Sequence, residues 1–176
     1  SRDVVVLSAV RSPIGAFGGS LADFDSSELA GIVMKEAIAR SNVDPQQINY
    51  VTVGTTMPTD GRYAYVSRVA SIQAGLSMES VAMQVSRLCA SGLQGIVTTA
   101  QNLMLGDADY GIGGGVEVMS KAAYMLPALR SGAPSTFGEL QTPALNGLPV
   151  PDVPQPDLSA LGAISSGERA DFRPAS

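Results

Sequence analysis

The 176-residue chain has no histidine, no tryptophan and a single cysteine, Cys89. Without histidine it lacks the one side chain whose ordinary titration falls near neutrality, which excludes imidazole acid–base chemistry within this chain. One cysteine cannot close an internal disulfide, and alone it cannot build a Cys/His zinc site. No metal is expected. Aromatic residues are scarce at 5% and charged residues few at 15%. Sixteen acidic against eleven basic residues leave a net charge of −5, with no basic block to follow a phosphate backbone. Nucleic acid is therefore not an expected partner. No run approaches the ~20 apolar residues of a membrane-spanning helix, so no membrane partner is expected either. The apolar run at 4–7 is too short, and too soon followed by Arg11, for a secretory signal. A cytoplasmic, reducing setting is the expectation.

At 45% apolar residues, the chain can bury one core. Its character changes near residue 133. Residues 134–176 hold seven prolines and four glycines in 43 positions, a composition at the threshold of low complexity. Pro149, Pro151, Pro154 and Pro156 forbid a regular helix or a central strand there. The expected organisation is a folded domain over 1–133 and a poorly structured, Pro/Gly-rich tail over 134–176.

Within the first part, strand and helix patterns alternate. Val4-Val5-Val6-Leu7 reads as a strand covered on both faces. Asp25 followed by Glu28 resembles a capping box, and Leu29, Ile32, Val33 and Ala37 follow at helical spacing. Asp44-Pro45 marks a turn or short helix start. Residues 48–55 predict a second strand, and 65–74 a helix ended by Gly75. Residues 81–87 predict a third strand. Leu93, Ile96, Val97, Ala100, Leu103 and Met104 then draw one apolar helical stripe, closed by Gly106. Residues 110–118 predict a fourth strand, with Gly113-Gly114-Gly115 inside it. Such alternation implies an α/β fold with a mostly parallel sheet and helices on both faces. Met78, Met83, Met104, Met119 and Met125 read as core or pocket filler.

Cys89 lies where the third strand passes into the long helix. In open α/β sheets ligands bind beyond the carboxyl ends of the strands, and a helix N-terminus favours negative charge. The thiolate is the nucleophilic form of cysteine. The same position also suits a small buried hydrophobe, and position alone favours that reading. Gly92 and Gly95 clear the first turns for close approach of a ligand or a strand. Gly113-Gly114-Gly115 offers a phosphate cradle or close backbone packing; lying inside a strand, it fits packing better. Glu117 either orients loops around the site or caps a following helix. The glycine-rich stretch from Arg11 to Ser20 reads equally well as a surface turn.

Taken together, these segments resemble a known family. Val85-Ser86-Arg87-Leu88-Cys89-Ala90-Ser91-Gly92-Leu93-Gln94-Gly95-Ile96 resembles the nucleophile motif of the thiolases, the acetyl-CoA acetyltransferases or β-ketothiolases. Val10-Arg11-Ser12-Pro13-Ile14-Gly15 and Ile112-Gly113-Gly114-Gly115-Val116-Glu117-Val118-Met119-Ser120 agree with it in order and spacing. The resemblance covers residues 1–133, and it implies the layered α/β N-terminal domain of that family with a mostly parallel mixed sheet. It further implies a ping-pong Claisen reaction of fatty acid metabolism on acetyl-CoA and other acyl-CoA thioesters. These are substrates, and no resident cofactor is expected. Cys89 matches the family nucleophile, which carries the acyl group as a thioester. Thiolases pair through their N-terminal domains, so a homo-oligomer is expected.

The departures matter as much. In the family a second half supplies a histidine in a Gly-His-Pro motif and a second cysteine in a Cys-x-Gly motif. This sequence has neither, and from Pro134 onward it stops resembling the loop domain that holds coenzyme A. No general base or coenzyme A cradle is assigned. The expectation is an acyltransferase segment inactive as an isolated chain. The alternatives are a non-catalytic interaction or dimerisation module, or one half of a two-chain enzyme.

Overall fold

The structure, a computed structural model, describes residues 2–123. The expected boundary at 133, the tail over 134–176 and Met125 lie outside the described residues.

The first helix, α1, spans Ser26–Ser41 between Asp25 at its N-cap and a left-handed Asn42 at its C-cap. The expected capping box does not form. The Asp25 carboxylate makes no bond to the helix; it accepts from Arg62 and from Lys121 Nζ at 3.0 Å. Two cations hold a carboxylate more strongly than a neutral N–H does. The buried face is Leu29, Ala30, Met34 and Ile38, while Ile32 is exposed. The contact is thus rotated from the expected stripe, because Ala30 and Gly31 let a second helix approach closely. A Cβ on Gly31 would stand 3.2 Å from Gln73 Cβ.

Asp44 caps a short 3-10 helix, Pro45–Gln47, by accepting from the Gln46 N–H. Strand β1, Tyr50–Gly54, follows, then helix α2, Val66–Gln73. Strand β2 is Val81–Val85, helix α3 Ser91–Leu105 and strand β3 Gly111–Gly115. The sheet order is β2-β1-β3, with Tyr50 in register with Val81 on one side and Gly111 on the other. Both pairings are parallel, so among the described residues the sheet is parallel throughout.

The crossovers β1-α2-β2 and β2-α3-β3 run in opposite directions across the sheet. Right-handed connections then put α2 and α3 on opposite faces. Side-chain burial agrees. Val51 and Val53 join Met34, Ile38, Val66, Ala70 and Leu76 in one core on the α1/α2 side. Burying each valine fully contributes about 1.5–3 kcal/mol.

On the other face, α3 reverses the expectation. It buries Ser91, Gly95 and Thr99, and leaves Leu93, Ile96, Val97 and Met104 exposed. The cause is glycine on both sides of the contact. A Cβ on Gly113 would come within 2.7 Å of Ile96 Cα, and one on Gly115 within 2.7 Å of Gly92 Cα. Backbone therefore lies on backbone, and the small-residue face, not the apolar stripe, meets the sheet. Met78 and Met119 are also exposed, so neither they nor Met104 fill the core.

The run Val4-Val5-Val6-Leu7 forms no strand, and Val5 and Val6 are 71% and 79% exposed. An apolar run becomes a covered strand only where a neighbour supplies ladder partners, and among the described residues none pairs with it. No described helix is long and apolar enough to cross a membrane.

Candidate functional site

The three parallel strands end together, and their carboxyl ends surround a cleft of about 320 Å³. Gly54 closes β1, Leu88 and Cys89 follow β2, and Gly115, Val116 and Glu117 follow β3. Ser91 and Gly92, the first turn of α3, complete the wall. This is where an open parallel sheet gathers chain ends and a helix N-terminus. Cys89 is a free cysteine and is exposed, not the buried hydrophobe that its position alone favours. A larger, polar cleft of about 510 Å³ lies near Gln46, Ser80 and Tyr110 at the opposite strand ends, and no cysteine lines it. The chemistry therefore places the candidate site at the smaller cleft.

Cys89 sits in a tight turn. Leu88 before it has φ +51°, a left-handed conformation that costs a branched, non-glycine residue about 1–3 kcal/mol. Ser91 supplies the restraint. Its hydroxyl accepts from the Arg87 N–H at 2.7 Å and donates to the Leu88 carbonyl at 2.6 Å. Ala90 N–H also donates to Arg87 O, and Ser91 N–H to Leu88 O, at 3.1 and 3.0 Å. Thr56, from the loop after β1, brings its hydroxyl within 3.1 Å of Ser91 Oγ and 3.3 Å of Leu88 O.

Glu117 orients that loop rather than capping a helix. Its Oε1 accepts from Thr55 Oγ1 at 3.0 Å and from the Met57 N–H at 2.8 Å. Its Oε2 accepts from the Thr56 N–H at 3.0 Å. Tyr63 closes the far side, donating to the Thr55 carbonyl at 3.2 Å. Burial first, and the Glu117 charge second, push the Tyr63 phenol above its ordinary value.

The remaining sequence candidates separate. Gly113 and Gly115 pack against α3, and Gly95 faces the Gly114 carbonyl, so the glycine run serves close packing rather than cradling phosphate. Gly92 lines the cleft. The stretch from Arg11 to Ser20 is a surface turn, tied down where the Gly18 N–H donates to Ser120 Oγ at 2.9 Å. Among the described residues no group of three His, Cys, Asp or Glu converges as metal ligands would. Sequence reasoning missed Thr56 and Ser91 as partners. Ser91 had a local signal, a hydroxyl three residues after Leu88, whereas Thr56 is joined to the turn only by the fold.

A family model described as thiolase, N-terminal domain, matches residues 4–143. The chain is 47% identical over 133 residues to beta-ketothiolase BktB of Cupriavidus necator, covering 76% of this chain and 34% of that protein. It is 41% identical to an acetyl-CoA acetyltransferase of the same organism, covering 74% and 33%. Among solved structures, Bacillus anthracis acetyl-CoA acetyltransferase superposes with TM-score 0.75 at 34% identity, covering 81% of this chain and 36% of that one. Human mitochondrial 3-ketoacyl-CoA thiolase in complex with CoA gives 0.71 at 32%, covering 74% and 33%. The chain spans about a third of the length of the curated relatives it matches. In sequence and in fold alike, it belongs to the thiolase family.

Proposed function

We propose that this chain carries the nucleophile of a thiolase-type acyltransferase, with Cys89 as the catalytic residue and acyl-CoA thioesters as substrates. The exposed Cys89 at the carboxyl ends of the strands, in a cleft opened by the start of α3, carries this reading. The thiolate attacks the acyl carbonyl, a new carbon–sulfur bond forms, and the bond to coenzyme A breaks. Coenzyme A leaves as a thiolate that takes a proton from water. A covalent acyl intermediate divides one difficult transfer into two easier steps.

These 176 residues hold no histidine, so by themselves they offer no imidazole to move these protons, a contribution worth about 10²–10⁴-fold. Slow acylation without sustained turnover is therefore expected. Incubation with excess acetyl-CoA should add one acetyl group to Cys89, seen by intact mass, released by hydroxylamine and absent in Cys89→Ala. Thiolysis of acetoacetyl-CoA should stay at background. Acetylation elsewhere but not at Cys89 would overturn the nucleophile assignment. Turnover proportional to protein and lost in Cys89→Ala would overturn the inactivity.

The exposed stripe on α3 favours a second reading, an interaction module that binds another polypeptide. Leu93 is 65% exposed and Ile96 49%. Light scattering on wild type and Leu93→Glu tests whether this stripe joins copies of the chain, since an interface there would lose mass on substitution. A Cys89 unreactive toward acetyl-CoA beside such a loss would favour this reading over the first.

A further inference from the structure

We infer that Glu117 is a positioning residue for Cys89, acting through Thr56 and Ser91 on the turn that presents the sulfur; this rests on the nucleophile reading above. Three strand ends are tied by one relay. Glu117, beyond β3, grips the loop beyond β1 through Thr55 Oγ1, the Thr56 N–H and the Met57 N–H. That grip sets the Thr56 hydroxyl against Ser91 Oγ and Leu88 O, in the turn beyond β2. Ser91 in turn holds Arg87 N–H and Leu88 O on either side of the left-handed residue before Cys89.

A carboxylate suits this place because it offers only acceptors, and all three of its partners are donors. Glutamine keeps one acceptor oxygen but turns an NH₂ toward the Thr56 N–H, setting donor against donor. Thr56 adds a second requirement, for a hydroxyl and not merely a β-branched shape. The cleft-lining side chain that makes no covalent bond therefore governs the one that does.

The test is the iodoacetamide alkylation rate of Cys89 in the purified full chain, beside a free-cysteine peptide. Wild type should react faster than the peptide. Glu117→Gln and Thr56→Val should each slow Cys89 by about three- to tenfold, while Thr56→Ser keeps the wild-type rate. The Glu117→Gln/Thr56→Val double variant should be no slower than the slower single one, because both act on one relay. Should Glu117→Gln fail to fold, the Thr56→Val and Thr56→Ser pair decides. Wild type at the peptide rate would sink the nucleophile reading itself. A fast wild type matched by folded Glu117→Gln, or by Thr56→Val, would overturn the relay alone, as would multiplying effects in the double variant.

Discussion

Two neighbouring glycines should respond in opposite directions to the same substitution. Gly113 faces α3, and its new Cβ would lie 2.7 Å from Ile96 Cα, 2.8 Å from Gly95 O and 2.9 Å from Thr99 Oγ1. Two of these neighbours are helix backbone and cannot rotate aside, so α3 must lift from the sheet. Overpacking of this kind costs about 1–3 kcal/mol, and rigid backbone places it near the top of that range. Alanine also returns about 0.5–1 kcal/mol of glycine's excess entropy loss in a strand. Gly113→Ala should thus lose roughly 1–2 kcal/mol net. Gly114, one residue on and facing the opposite side, has nothing within 4 Å of its new Cβ. Gly114→Ala should gain about 0.5–1 kcal/mol. In urea, with a slope of about 1–3 kcal/mol/M, the two midpoints should separate by roughly 0.5–3 M at unchanged slope. Equal midpoints, or a more stable Gly113→Ala, would refute the backbone-on-backbone account of α3.

Ser91→Ala removes the hydroxyl that joins Arg87 N–H to Leu88 O, and should lower stability by about 1–3 kcal/mol in the same urea assay. Asp25 links stability to pH. The Lys121 bond holds its carboxyl below the ordinary 3.8, burial acts the other way, and Arg62 adds to the lowering. The folded state therefore binds the proton less tightly than the unfolded one. The stabilisation is present above the ordinary value and is lost as pH falls through the lower folded one. Asp25→Asn should be less stable than wild type near neutrality and equal to it in strong acid, by urea midpoints at both pH values.

The alternation of elements was legible because each has its own period and its own stop. Asp44-Pro45, Gly75 and Gly106 end or begin segments where the structure ends or begins them. The face that α3 buries was not legible, because an apolar stripe normally marks the core. Here glycine on both partners lets Ser91, Gly95 and Thr99 win the contact. The run 4–7 misled for a related reason: apolarity says that a strand would like cover, not that a partner lies beside it. At the site, the cleft position of Cys89 followed from strand–helix order. The Glu117–Thr56–Ser91 relay did not, since its links join residues 61 and 35 positions apart that meet only when three strand ends align.

The most direct measurement is the alkylation rate of Cys89 in the native chain against the same chain in denaturant. A sulfur held reachable in an open cleft at a helix start should react faster when the chain is folded. A sulfur that reacts only after unfolding would contradict the account.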